Sequence, residues 1–138
     1  MFRFIRAWLI YTWGGLHRYF GNQNNMRSEH EAAVRYFTRA YRIDPTWRRA
    51  RLERGILLYR ELQRLDEALA DFDALLAEDP AYGPALFNRA LLAQEAGRYQ
   101  DALEDIEAYL SLPGEAYQAE AARIAAFLHQ LLEERDEG

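Results

Sequence analysis

The sequence predicts an all-α fold, a solenoid of helix–turn–helix repeats with an aromatic N-terminal helix and a C-terminal capping helix. Three observations carry this. The chain repeats itself: EAAVRYFTRAYRIDP, DEALADFDALLAEDP and QDALEDIEAYLSLPG are three versions of one segment. Its proline and glycine are sparse while half of its 138 residues are hydrophobic, as in a packed helical chain. Finally, its breaks recur with the repeat, at Asp44–Pro45, Asp79–Pro80 and Pro113–Gly114, where a helix must stop.

Within the repeat the small positions are regular. Ala33, Ala68 and Ala102 follow at steps of 35 and 34, as do Phe37, Phe72 and Ile106 four positions later. Upstream, Gly21, Gly55 and Ala90 follow at steps of 34 and 35. Two helices cross closely only where side chains are small, and bulky residues fill the gaps between crossings. These residues, with the closing prolines, make residues 14–114 resemble the tetratricopeptide repeat family, whose period is 34. Three units follow, at approximately 14–47, 48–82 and 83–114.

Each element has its own local warrant. Residues 1–13 read as a separate amphipathic helix, ended by Gly14–Gly15. In the first unit NQNN is a poor helix run, and Ser28 with Glu31 reads as a capping box opening the second helix. The second unit has an extra residue between Gly55 and Ala68, expected in the turn YRELQRLD. In the third, AGRYQDA puts Gly97 between the helices, matching the family closely. Beyond Pro113–Gly114, in residues 115–138, Ile124, Phe127, Leu128, Leu131 and Leu132 are spaced for a capping helix. Its acidic end, EERDEG, opposes the helix dipole and is expected to fray.

Charge is polarised. Residues 1–60 carry twelve arginines against four acids, a net of +8; residues 61–138 carry five against eighteen, a net of −13. There is no lysine and no cysteine, so disulfides and thiol chemistry are excluded. Chemistry is otherwise faint. His17, His30 and His129 fall in three different helices and have no metal-ligand spacing; no phosphate-binding or nucleophile motif is present. Asp71 and Asp73 read as part of a solvated face. No residue set asks for catalysis, a metal or a cofactor. Nucleic acid is disfavoured: Arg48, Arg49, Arg51 and Arg54 spread around their helix instead of forming one ridge.

What the resemblance implies is a protein-binding scaffold, adaptor or assembly factor whose first helices line a groove. The inward positions it implies are Arg49, Leu52, Ile56, Tyr59 and Arg60 in unit two, and Phe87, Leu91, Gln94 and Glu95 in unit three. Such a surface suits an amphipathic helix or an extended segment of a partner protein. One subclass clamps acidic chaperone tails, and Arg18, Asn22 and Asn88 fall at matching or similar positions. Glu53 and Pro84, however, stand where that clamp uses Asn and Lys, and an acid facing a carboxylate is unfavourable.

The first helix leaves two readings open. Between Arg6 and His17 only ten residues are uncharged, too few for a span. In projection Arg3, Arg6 and His17 share one side, with Phe2, Ile5, Trp8, Leu9, Leu16, Tyr19 and Phe20 roughly opposite. Phe2, Arg3, Ile5, Arg6, Trp8, Leu9 and Trp13 are therefore expected to contact an anionic membrane surface or a membrane protein complex. The alternative is a soluble cytoplasmic adaptor whose first helix caps its own fold or mediates self-association. A cytoplasmic location, at the membrane or away from it, is expected in both cases.

Overall fold

The computed structural model describes residues 1–138 as seven α-helices: α1 (Phe2–Asn24), α2 (Arg27–Ile43), α3 (Arg48–Arg60), α4 (Leu65–Glu78), α5 (Gly83–Glu95), α6 (Tyr99–Leu110) and α7 (Gln118–Glu137). The chain divides into two compact bodies, Met1–Leu75 and Leu76–Gly138.

In the first body α1 lies along α2 on a seam of small residues seven apart: Ala7, Gly14 and Gly21, all buried. A Cβ on Gly14 would come within 2.9 Å of the Phe37 ring, and one on Gly21 within 2.5 Å of His30. The expected break at Gly14–Gly15 is absent, because Gly14 faces a neighbouring helix that rewards its size. The helix also runs through most of NQNN and closes on Asn25, which takes a left-handed conformation (φ 50°). Phe4 and Tyr11 reach Trp47, with ring centroids 4.9 and 5.7 Å away, so the first thirteen residues pack on the first repeat. Ser28 does not cap α2. That helix starts at Arg27 after Met26 with no side-chain cap, and Glu31 pairs with Arg64 at 3.0 Å.

Each turn inside a unit carries one left-handed residue: Asn25, Gln63 (φ 55°) and Gly97 (φ 75°). The extra residue of the second unit sits in its turn, residues 61–64, as expected. The turns between units share another device. Asp44 Oδ1 accepts the Thr46 N–H at 3.1 Å, and Asp79 Oδ1 accepts the Ala81 N–H at 3.1 Å. Each aspartate thus turns its chain into the following proline-led segment.

Arg54 of α3 clasps Asp71 of α4 through two parallel hydrogen bonds of 2.7 and 2.5 Å. Arg89 of α5 clasps Asp105 of α6 the same way, at 2.7 and 2.8 Å. Asp71 is therefore no part of a solvated face; it is 1% exposed, and burial pushes its carboxyl up against the pull of Arg54. The arginines of α3 are engaged as well, with Arg48 and Arg49 exposed and Arg51 and Arg54 partly buried. Arg51 and Arg54 lie over the Tyr41 ring, and Arg49 pairs with Glu53.

In the second body Phe87 stacks on Tyr117 and leans on Tyr109, whose hydroxyl accepts the Tyr117 N–H at 3.0 Å. Helix α7 packs on α6 with Ala121, Ala125 and Leu128 buried. Phe127, expected on the packed side, is half exposed. The expected fraying is not seen: α7 continues to Glu137, with Arg135 over the Tyr99 ring.

Candidate functional site

Helices α1 and α3 of the first body enclose a cavity of about 170 Å³ lined by Arg18, Asn22, Ile56, Leu57, Arg60 and Glu61. Beside it Glu53, 5% exposed, receives the Arg18 guanidinium from α1 and the Arg49 Nε–H at 3.2 Å. The anchor exists because α1 is continuous: Arg18 is placed one turn before Gly21, where a Cβ would meet the His30 ring of α2. Ile56 and Leu57 make an apolar floor. Arg60 and Glu61 are exposed at its rim.

The residues implied for the groove separate by burial. Arg49 and Arg60 are exposed and Ile56 is half-buried in the cavity wall. Leu52 and Tyr59 are buried, Tyr59 edge-to-face on Phe72 at 6.0 Å. Phe87 is buried between Tyr109 and Tyr117; Leu91 and Gln94 of α5 are half-buried. Leu52, Tyr59 and Phe87 are thus core residues, and an aromatic or leucine at helical spacing could have served either purpose. One cavity residue, Asn22, lies in NQNN, the stretch that helix propensity marks as weakest.

The three histidines are engaged separately. His17 Nδ1 meets Glu29 at 2.6 Å and its ring stacks on Tyr36; His30 Nε2 meets Asn22 at 2.8 Å; His129 Nε2 meets Glu107 at 2.9 Å. His17 and the buried seam of Ala7, Gly14 and Gly21 turn toward α2. The opposite side is open. Phe2, Ile5, Trp8, Leu9 and Trp13 are all exposed, and the same face continues through Leu16, Tyr19 and Phe20. Arg3 and Arg6 are exposed as well. No helix is long and apolar enough to cross a membrane. A further shallow depression of about 460 Å³ on α2 carries exposed Arg35, Arg39 and Arg42, a basic row at i, i+4, i+7.

No protein-family model and no curated protein matches the sequence. Solved structures do match the fold. The Arabidopsis OM64 TPR domain superposes with a TM-score of 0.77 at 19% identity, covering 93% of this chain and 98% of that one. The first TPR domain of human RPAP3 gives 0.76 at 18%, covering 96% of each. The first TPR of Spaghetti (RPAP3), bound to the HSP90 peptide SRMEEVD, gives 0.68 at 19%, covering 87% and 93%. At such identities the likeness concerns the backbone, and with helices paired α1–α2, α3–α4 and α5–α6 the chain has the tetratricopeptide-repeat fold, in three units with α7 following.

Proposed function

We propose that this chain is a non-catalytic adaptor that holds a segment of a partner protein, an amphipathic helix or an extended stretch, against the α1/α3 cavity. The observation behind this reading is the make-up of that cavity. Ile56 and Leu57 offer apolar contact, while Asn22 and Arg60 offer hydrogen-bond donors around it. Arg49 extends the basic rim; in the second body, taken by itself, the half-buried Leu91 and Gln94 of α5 are candidate partner contacts. The Spaghetti domain of the same fold carries a bound chaperone peptide, which supports peptide binding as the mode. An acidic tail is not the partner proposed here, because Glu53 already occupies Arg18.

The test starts with peptides selected by display against the full chain, their affinities measured by fluorescence anisotropy. Arg49→Glu with Arg60→Glu should weaken the selected ligand by about tenfold or more, with helicity unchanged. Equal affinity would move the site off this rim.

The adaptor reading includes a location: a membrane surface or a membrane protein complex, engaged through the outer face of α1. That face is exposed and aromatic, which favours it. The second reading is a soluble cytoplasmic adaptor whose α1 caps its own fold or self-associates. It draws on the packing of Phe4 and Tyr11 against Trp47.

A further inference from the structure

We propose that α1 is an in-plane helix of the bilayer interface, lying flat on an anionic membrane with its outer face in the lipid. This deepens the location just given and rests on it, by choosing lipid over a protein as what that face meets.

The geometry of the face is specific. With the seam of Ala7, Gly14 and Gly21 turned to α2, the opposite side carries Ile5, Leu9, Leu16, Phe2 and Phe20 along its middle, within an arc of about 60°. Trp8 and Tyr19 border this stripe on one side and Trp13 on the other. Indole and phenol rings favour the depth where hydrocarbon meets headgroups, so aromatic borders around an aliphatic stripe match a helix half sunk into that boundary. From Phe2 to Phe20 the face is about 27 Å long at 1.5 Å per residue. It contains no charged side chain; Thr12 and Gln23 are its polar members. Its residues are open to solvent, from 40% exposed at Leu16 to 79% at Phe2.

Charge chooses the occupant. Helix α1 contains Arg3, Arg6 and Arg18 and not one acid. Arg6 lies just outside the Trp13 border and Arg3 farther round on the same flank, both on exposed stems long enough to reach phosphates while the stripe is buried. Anionic lipid complements such a border. A second copy would bring the same arginines and no acid to meet them. A span is ruled out by the helix itself, which is not apolar enough and has α2 along its other side.

The full chain should float with vesicles containing about 30 mol % phosphatidylserine and much less with pure phosphatidylcholine vesicles. Lipids brominated near the headgroup should quench Trp8 and Trp13 emission, and this readout needs no variant. Leu9→Asp with Leu16→Asp, both at exposed positions, should cut the bound fraction about tenfold at unchanged helicity. Arg3→Glu with Arg6→Glu should remove the preference for anionic lipid. Absence of flotation and quenching overturns the proposal, and so does a solution dimer that the Leu9→Asp, Leu16→Asp pair converts to monomer without any lipid binding. Capture of a detergent-solubilised membrane protein through this face, with no binding to vesicles, would sink the lipid proposal and leave the membrane-complex reading standing. Arg49→Glu with Arg60→Glu should leave flotation untouched, separating this proposal from the peptide cavity.

Discussion

Arg18 of α1 gives its guanidinium to the buried carboxylate of Glu53 on α3, across the wall of the cavity between those helices. A second arginine, Arg49, holds the other carboxylate oxygen. The pairing neutralises what would otherwise be the strongest anion-binding group of the cavity, and it does so with an acid that water barely reaches. Arg60 is left as the exposed cation at the rim.

Glu53→Gln should therefore change ligand preference. Arg18 is released while a neutral side chain of the same shape remains. Affinity for the acidic peptide SRMEEVD, read by fluorescence anisotropy, should rise about tenfold over the wild type, at a stability loss of about 1–2 kcal/mol for the broken pair. Unchanged affinity would mean that Arg18 does not govern the sign of this cavity.

The paired glycines of α1 should respond in opposite ways to alanine. At Gly14 the new methyl would sit 2.9 Å from the Phe37 ring, so Gly14→Ala should destabilise by about 1–3 kcal/mol despite its better helix propensity. At Gly15 nothing lies within 4 Å, and Gly15→Ala should stabilise by up to about 1 kcal/mol. Urea denaturation of the two variants checks both signs, and the same sign for both would contradict the close seam with α2.

That contrast also marks where the sequence was readable. Gly21, Gly55, Ala90 and the alanines of the second helices disclosed the repeat because packing demands small residues at one fixed period. Gly14–Gly15 has the same composition as a break, and only the presence of Phe37 opposite Gly14 turns it into a contact. Ser28 and Glu31 have the spacing of a cap, but Arg64 draws Glu31 away from the helix start. Asp71 looked like any acid on a polar helix, since its partner Arg54 is seventeen residues away on another helix. In the candidate site, Arg60 and Ile56 were legible by register with the family, whereas Tyr59 and Phe87 could have been groove or core until their ring partners were placed.

Asp71→Ala should be among the most damaging substitutions outside the apolar core. It strips Arg54 of both hydrogen bonds and leaves that guanidinium, 19% exposed, with the Thr38 hydroxyl at 3.0 Å. A loss of about 3 kcal/mol is expected for breaking such a buried pair. Asp71→Asn keeps one acceptor oxygen and should cost clearly less. Denaturant midpoints of the two variants give the comparison, and equal losses would argue against charge pairing as the cause.

Acid should act on Asp44. The Thr46 hydroxyl, 2.6 Å away, holds its carboxyl below the usual aspartate value, with the Thr46 N–H adding to the effect. A carboxyl depressed on folding favours the folded chain above the unfolded value, about pH 3.9, and that contribution disappears as pH falls through the lower folded value. Asp44→Asn should therefore be less stable than the wild type at pH 7, with the gap closing below about pH 4. Urea midpoints at pH 7, 4 and 3 test this; a gap independent of pH would show that the turn geometry matters and the charge does not.

The intra-unit turns offer a stabilising change. Gln63 holds the left-handed conformation that Asn25 and Gly97 hold in the other two units, and of these three residues glutamine tolerates it least, because its Cβ crowds the following carbonyl. Its side chain returns only a long hydrogen bond, 3.4 Å, to the Tyr59 carbonyl. Gln63→Gly should therefore raise stability by roughly 0.5–1 kcal/mol, a few degrees in Tm, even though glycine gains more freedom in the unfolded chain. Gly97→Ala, the reverse change in the third unit, should lower it by about 1 kcal/mol. Thermal unfolding followed by circular dichroism measures both. If Gln63→Gly destabilised while Gly97→Ala did so too, the left-handed turn would be common to the repeats but its strain at Gln63 would be too small to matter.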